Sequence, residues 1–387
     1  MTPRLLLLTV VLGVPLLGAA EPPKVPADHD LFVNPYNRLS AHHRPVGAGA
    51  EYGVPGTTGE GTRGRIAVVT RISLSMAPAT KKYIHRVAPA DPLRTVTFSG
   101  EAAGSGGGRG LPVTLRMPAD APYPTTGEDR NVVLWPRDGG TVDLCTMFYG
   151  YDHRASTARY AKSWPFSGLD VTDGSDDFDA GSGASRMRWP AGVLRGFEIN
   201  PESPAPIRHA FQATATRHSN PDNRKSPKAP ATRHVLAKTH VWPAYGTDAG
   251  ASNPAANLGD IPYGTRLVIR RQDFDQKEKL RLSARGRVMF DTLCYYGMYL
   301  VDGQGQYDAE RNGAVIQQRC DHAVTREAAE DVNAQLMKIL PLLWPVRNPR
   351  PLDRETEIFP ADGLPYAGGG GPLDPRHSVN TAWDARR

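Results

Sequence analysis

Glycine and proline interrupt this chain so often that long regular elements are excluded for most of its length. The 387 residues include 39 glycines and 35 prolines, about one residue in five, against about one in eight in an average protein. Short apolar runs lie between these turn-forming residues at intervals of about 8–15 residues. The pattern predicts a mostly β fold, a jelly-roll-like β-sandwich with a few short peripheral helices.

Several runs have the alternation or the β-branched content of strands. A hairpin is predicted where residues 132–135 and 141–149 flank the turn dipeptide Asp138-Gly139. Further strands are predicted over residues 64–75, 94–98, 111–117, 193–197, 207–215 and 298–301. Apolar periodicity predicts two helices, over residues 277–296 and 332–343.

The first twenty residues have the features of a secretory signal peptide. Arg4 supplies the positive start, an apolar run extends from Leu5 to Leu17, and Gly18-Ala19-Ala20 forms a small-residue cleavage site. The run is too short to span a bilayer and no later segment is apolar enough, so we expect an exported protein without an integral membrane segment. The expected organisation is a signal peptide (1–20), an extended N-terminal arm packed on the body (21–60), a β-sandwich domain with inserted helices (61–345) and a Pro/Gly-rich tail (346–387).

Charge and cysteine content narrow the classes of function. The formal net charge of +6 falls to about +5 when the signal peptide is removed, which permits an anionic polysaccharide as partner. No dense Lys/Arg block with interleaved aromatic residues is present, so nucleic-acid binding is not expected. The cysteines allow either one disulfide and one free thiol or three buried thiols; they are Cys145, Cys294 and Cys320.

An acidic run lies in a Gly/Ser-rich segment at residues 168–183. Asp170, Asp173 and Asp176 have the spacing and the oxygen ligands of a structural calcium site, although the EF-hand pattern is absent. A solvated acidic loop that binds no ion is the favoured interpretation, and a direct role of Asp170 or Asp173 at a site is the third. No other cofactor is predicted.

Four polar residues in strands or near strand ends are the candidate catalytic groups. Glu198 and Asp302 would form the carboxylate pair that glycosidases use. His209 and His240 are the candidate histidines for proton transfer or charge neutralisation. We expect all four to converge on one concave surface. A salt bridge at Glu198, a plain turn at Asp302 and core packing of His209 are the structural alternatives.

Aromatic and polar side chains near these groups are the candidate substrate contacts. Trp242 and Tyr245 offer stacking surfaces for sugar rings, and Arg208 and Asp248 offer hydrogen bonds to hydroxyl or uronate groups. His42 is the candidate from the N-terminal arm. Core packing of Trp242 and a surface position of His42 are the alternatives.

The sequence contains the blocks AHHRPVGAGAEY, GFEI with IRHAF, VWPAYGTDAGAS, IPYGTRL and YYGMYLVD, spread over most of the mature chain. In these blocks it resembles a group of secreted bacterial proteins that are associated with extracellular polysaccharide. The resemblance implies export and a polysaccharide partner, and it assigns no role to any residue. The GxSxG and HExxH motifs of other hydrolase classes are absent, as is the ExDxxE motif of laminarinase-like sandwiches.

These features favour a secreted carbohydrate-active enzyme that hydrolyses a polysaccharide with a carboxylate pair. The first alternative is a lyase acting on a uronic-acid polymer, in which Arg208 or His209 neutralises the uronate and His240 or Tyr245 is the base. The second alternative is a carbohydrate-binding or envelope protein that uses the same aromatic residues without catalysis.

Overall fold

The computed structural model describes twelve parts of the chain: residues 40–43, 46, 50–57, 61–77, 80–98, 112–127, 130–136, 144–165, 184–217, 234–247, 257–304 and 313–348. The predicted signal peptide and nearly all of the predicted tail lie outside these residues. So do the predicted calcium ligands Asp170, Asp173 and Asp176, and the predicted substrate contact Asp248.

The described residues form fifteen strands and four α-helices. The strands are β1 (Val69–Leu74), β2 (Tyr83–Val87), β3 (Leu93–Phe98), β4 (Val113–Arg116), β5 (Val132–Pro136), β6 (Leu144–Tyr149), β7 (Thr157–Ala158), β8 (Tyr160–Pro165), β9 (Phe211–Thr216), β10 (Leu236–His240), β11 (Ile261–Tyr263), β12 (Arg266–Ile269), β13 (Met298–Gln304), β14 (Ala314–Gln318) and β15 (Leu343–Pro345). The helices are α1 (Gly196–Ile199), α2 (Gln276–Lys279), α3 (Ala284–Tyr295) and α4 (Arg326–Ile339). The prediction of a mostly β chain is therefore confirmed.

The largest sheet has six strands, in the order β1-β14-β9-β13-β12-β15. β1 is parallel to β14 and β9 is parallel to β13, and the other neighbours are antiparallel. Parallel pairing also joins β2 to β5 and β10 to β11. Because jelly rolls consist of antiparallel strands, these pairs differ from the predicted jelly-roll topology. The packing of two sheets face to face remains a prediction.

Helices α3 and α4 pack on the six-stranded sheet. α4 contacts β1, and α3 contacts both β12 and α4. Leu293 of α3 and Leu336 of α4 are fully buried in the same apolar core as Phe211 of β9. As a central strand, β9 is buried along nearly its whole length. Any polar side chain on β9 therefore needs hydrogen-bond partners inside the protein.

A short segment after β14 links this sheet to the four-stranded sheet β2-β5-β6-β8. Cys320 forms a bridge parallel to Leu194, and Asp321 forms one parallel to Lys82. The backbone N–H of Lys82 donates to the carbonyl of Cys320 (3.1 Å), and that of Asp321 donates to the carbonyl of Leu194 (2.9 Å). Residues 319–322 are thus held between two other chain segments, which fixes the directions of their side chains.

Several local predictions are confirmed or corrected by the structure. β5 and β6 pair antiparallel, as the predicted hairpin requires. Residues 193–197 are not a strand, because α1 begins at Gly196. The helix predicted over 277–296 is two helices, since Ser283 caps a new start at α3 by accepting the N–H of Gly286 (3.0 Å).

The cysteines and the helices bear on the predictions of a disulfide and of no membrane-spanning segment. Cys145, Cys294 and Cys320 are buried free thiols, so the disulfide that export made plausible is not formed. Among the helices that the structure describes, none is long and apolar enough to cross a membrane.

The start of α4 provides a stability prediction. Thr325 is the N-cap residue, and its hydroxyl accepts the N–H of Ala328 (3.2 Å). Thr325→Ala should lower the free energy of unfolding by about 1 kcal/mol, because that N–H loses its partner. Urea unfolding measures this loss, and Thr325→Ser, which keeps the hydroxyl, is the matched control. Equal destabilisation by Ala and Ser would contradict the capping role.

Candidate functional site

Two consecutive backbone N–H groups at the start of α1 bind two carboxylates. The N–H of Arg195 donates to Oε2 of Glu198 (2.8 Å), and the N–H of Gly196 donates to Oδ1 of Asp321 (3.0 Å). Because consecutive backbone nitrogens are no more than about 4 Å apart, the two carboxylates lie within about 10 Å of each other. Glu198 was a predicted site residue, and Asp321 was not.

Glu198 is also bonded to His209, another predicted site residue. Oε1 of Glu198 lies 2.9 Å from Nε2 of His209, and the two side chains are only 9% and 6% exposed. Nδ1 of His209 lies 3.0 Å from the carbonyl oxygen of Ala210, which can only accept a hydrogen bond. Nδ1 is therefore the donor in this contact. The side chains of Glu198 and His209 form a buried hydrogen-bonded pair.

Asp321 is the most perturbed carboxyl of this group. Burial, and to a smaller degree the charge of Glu198, raises the pKa of Asp321 to about 6, although Arg195 and the N–H of Gly196 oppose the shift. Oδ1 accepts N–H groups of Gly196 and Ala323, while Oδ2 makes no hydrogen bond with the residues that the structure describes. Oδ2 is therefore the atom at which Asp321 holds its proton.

A second polar network extends from β9 to β13. Oε1 of Gln212 accepts from Nη1 of Arg319 (3.2 Å), so the amide nitrogen of Gln212 is the donor to Nε2 of His42 (2.9 Å). Nη2 of Arg319 donates to Oδ2 of Asp302 (2.6 Å), whose Oδ1 accepts the N–H of Gly303 (2.8 Å). Asp302 is the solvent-facing end of this network, with its side chain 22% exposed.

His42 is therefore buried, and the surface position considered for it is wrong. Nε2 of His42 accepts this hydrogen bond, because the amide nitrogen of Gln212 is the donor. The backbone carbonyl of His42 also accepts the N–H of Ala210 (2.6 Å). The segment at residues 40–43 is thus bonded to the strand that holds the site.

The predicted catalytic residues are only partly brought together. Glu198 and His209 are in contact. Asp302 belongs to the other network, which begins at Gln212, and about 10 Å of extended chain separates Gln212 from His209. His240 is exposed on β10, and no hydrogen bond or ring contact joins its side chain to either network within the described residues. The catalytic roles of these residues remain predictions.

The predicted substrate contacts have intermediate burial. Trp242 and Tyr245 are half-buried and pack against the main core, and Arg208 is half-buried before β9. Phe197, beside Glu198, is 45% exposed and was not among the predicted contacts. Within the described residues, no group of three or more His, Cys, Asp or Glu side chains is arranged to hold a metal ion.

The residues that sequence reasoning missed share one location. Arg319 and Asp321 lie in the segment directly after β14, where the apolar run Ala314–Ile316 gives way to the polar run Gln317-Gln318-Arg319. A polar run directly after a buried strand is the signal that could have indicated them, because functional groups often lie at strand ends.

No protein-family model, curated protein or solved structure matches this chain. The geometry of the two networks is therefore the basis for a functional interpretation.

Gly196 allows the close approach of α1 to Ala323 and provides a prediction. A Cβ at this position would lie 2.7 Å from the carbonyl carbon and oxygen of Ala323 and 2.8 Å from its Cβ. Gly196→Ala should therefore separate α1 from Asp321 and destabilise the fold by about 1–3 kcal/mol. Urea unfolding tests this. Adding Ala323→Gly removes only one of the three contacts, so it should restore only part of the loss. A Gly196→Ala variant as stable as the parent would show that the contact is relieved at no cost.

Proposed function

We propose that this chain is a secreted carbohydrate-active enzyme that cleaves an extracellular polysaccharide by glycoside hydrolysis. The observation that supports this most is the pairing of Glu198 and Asp321 at the start of α1 in different environments. Glycoside hydrolysis needs one carboxyl that is protonated and one that is ionised. Two neighbouring carboxyls whose environments differ supply that combination.

In the proposed reaction, Asp321 is the general acid. It protonates the glycosidic oxygen from Oδ2, while Oδ1 stays bonded to the backbone. Glu198 is the second carboxylate and acts on the opposite side of the sugar ring, as base toward water or as nucleophile. His209, which is hydrogen-bonded to Glu198, takes up or returns the proton of that carboxyl.

Substrate contacts are proposed from aromatic and polar side chains that are exposed or half-buried. Phe197 directly precedes Glu198 in α1, and its ring is exposed enough to stack on a sugar. Trp242 and Tyr245 add aromatic surface. Asp302 binds hydroxyl groups, and Arg208 binds hydroxyl or carboxylate groups. The reaction does not depend on a face-to-face β-sandwich, which we retain as the proposed arrangement of the sheets.

Hydrolysis is favoured over elimination by the surroundings of the two histidines. In a lyase, Arg208 or His209 would neutralise a uronate, and the imidazole of His209 is already bonded to the carboxylate of Glu198 at 2.9 Å. Of the two candidate bases, Tyr245 is half-buried, and His240 is exposed and has no partner to orient it among the described residues.

The test is an assay of the purified mature protein on a panel of neutral and uronic-acid polysaccharides. Hydrolysis produces new reducing ends without ultraviolet absorbance, whereas elimination produces an unsaturated end that absorbs. Binding without either product would identify a carbohydrate-binding protein. Reducing ends on at least one polymer support the proposal, and their absence on all polymers would refute it.

A further inference from the structure

Two buried nitrogen donors lie just before β10 and β11, on His234 and Asn257. Nε2 of His234 and Nδ2 of Asn257 have no hydrogen-bond partner among the described residues, and the two residues are only 1% and 2% exposed. Buried polar groups are nearly always paired with the protein, with water or with a ligand. These nitrogens therefore indicate a site for an acceptor group from outside the chain.

The contacts of the two side chains fix which of their atoms are donors. Nδ1 of His234 accepts the backbone N–H of Leu258 (3.2 Å), so Nε2 is the ring nitrogen that carries a hydrogen. Oδ1 of Asn257 accepts the hydroxyl of Tyr263 (2.9 Å), which leaves the amide nitrogen with two hydrogens to donate. Because Leu258 directly follows Asn257, both donors lie beside the same stretch of backbone.

Arg217, directly after β9, adjoins the same stretch. Its carbonyl accepts the backbone N–H of Asn257 (2.6 Å), and Asn257 has a left-handed backbone, with φ 55°. Non-glycine residues in this conformation are concentrated at functional sites. The Arg217 side chain lies against Gly303 of β13, where a Cβ would be 2.6 Å from Nε of the guanidinium. Gly303 therefore leaves the space that this cation occupies.

The charges around the two donors favour an anion. Burial and the charge of Asp302 raise the pKa of the Tyr263 hydroxyl, and the charge of Arg217 opposes this shift. Asp302 is paired with Arg319 at 2.6 Å, so its charge is compensated there. Two N–H donors beside a guanidinium suit an oxyanion better than a neutral acceptor, because hydrogen bonds to charged groups are shorter and stronger.

We propose that His234, Asn257 and Arg217 form a binding site for an oxyanion, either the carboxylate of a sugar acid or a sulfate group. The two N–H donors fix the positions of the oxygens, and the guanidinium supplies the opposite charge. Leu258 is 41% exposed and Arg217 is half-buried, so the site lies next to the surface. Binding here is independent of the proposed hydrolysis.

Isothermal titration calorimetry of the mature protein at constant ionic strength tests the site. The ligands are sodium sulfate, sodium glucuronate and, as the neutral control, glucose. We expect at least one anion to bind with a Kd of about 1 mM and glucose not to bind. Binding of sulfate alone supports a sulfate ligand, and binding of glucuronate supports a sugar carboxylate. No binding of either anion up to about 50 mM, or equal binding of glucose, would overturn the proposal.

Two variants locate the bound anion. Asn257→Asp keeps the oxygen that accepts the Tyr263 hydroxyl and replaces the Nδ2 donor with a charged oxygen, so the Kd should rise more than about tenfold. His234→Asn keeps an acceptor near the position of Nδ1 and loses the Nε2 donor, so the Kd should rise about fivefold. Gln272→Glu adds the same charge as Asn257→Asp at an exposed position and should leave the Kd unchanged. Wild-type affinity in both site variants would overturn the proposal.

Nitrogen-15 NMR of the wild-type protein gives a measurement that does not depend on the folding of the variants. The Nε2 signal of His234, assigned through its ring couplings, should shift as anion is added, with the Kd that calorimetry gives. An Nε2 signal that stays in place at saturation would mean that the anion binds elsewhere, and the proposed site would be wrong.

Discussion

Asp321→Asn should reduce kcat on the cleaved polysaccharide by about 10²–10⁴-fold, the usual contribution of a positioned general acid. The Asn side chain keeps an oxygen that accepts the N–H groups of Gly196 and Ala323, and it loses the proton on Oδ2. In the parent enzyme, kcat/KM should fall as the pH rises through about 6, because Asp321 loses its proton there. Initial rates between about pH 4 and 8 measure both effects.

Two further variants show whether this loss is specific. Glu198→Gln should lower kcat by a similar factor, while its side-chain oxygen still accepts the N–H of Arg195, as Gln does in a capping box. Glu202→Gln, an exposed change a few residues away, should leave kcat unchanged. Full turnover by Asp321→Asn would remove the acid role, and equal losses in all three variants would indicate a non-specific effect.

The stability of Asp321→Asn separates catalysis from folding. The pKa of Asp321 is about 6 in the folded protein, above its ordinary value of 3.8. Its protonated form therefore stabilises the fold at low pH, and this contribution is lost as the pH rises through 6. It amounts to roughly 3 kcal/mol. Because Asn stays neutral, the variant should be at least as stable as the parent at about pH 8, and strong destabilisation there would favour a purely structural role.

The sequence predicts this fold well where an element depends on residues that are close together in the chain. The turn dipeptide Asp138-Gly139 correctly indicated that β5 and β6 pair. Alternation from Ile207 correctly indicated a strand, although β9 begins only at Phe211. The segment at Glu198 was misread as strand, because, of residues 193–197, only Leu194 forms a β-bridge, with Cys320. Glu198 bonds the backbone of Arg195 instead and closes a helical turn.

The candidate site depends on contacts that local patterns do not encode. Gly196 and Asp321 are 125 positions apart, and they meet because residues 319–322 lie between Leu194 and Lys82. Gln212 could be recognised as polar on a strand, but its bonds to His42 and Arg319 span 170 and 107 positions. Such pairings arise from tertiary packing, so the carboxylate pair predicted from strand ends included Asp302 rather than Asp321.

His85 on β2 is expected to lower the free energy of unfolding as the pH falls. Its ring is buried, lies 4.8 Å from that of His322 and 4.9 Å from that of Tyr123, and its Nε2 has no hydrogen-bond partner among the described residues. Burial, and then the charge of His322, lowers the pKa of His85 to about 3, although a hydrogen bond to the carbonyl of Pro122 opposes the shift. Protonation of His85 therefore favours the unfolded chain.

The sign and size of the effect follow from linkage. The unfolded chain binds this proton near pH 6.5 and the folded protein only near pH 3, so the stability present above 6.5 is lost as the pH falls between these values. By about pH 4 the loss is roughly 3 kcal/mol. The lowered pKa of His322 adds to it, and Asp321 opposes it below pH 6.

The change His85→Asn isolates the contribution of this ring. Asn keeps an N–H donor near the position of Nδ1 and does not titrate, so the variant should lose less stability than the parent between about pH 7 and 4, by roughly 3 kcal/mol. Urea unfolding at several pH values gives the two slopes, whatever the variant costs in packing. His240→Asn is the matched control, because His240 is exposed, and it should leave the slope unchanged. If stability falls equally with pH in the parent and in His85→Asn, the ring is protonated at the same pH in the folded protein and in the unfolded chain. Burial of His85 would then have no part in acid denaturation.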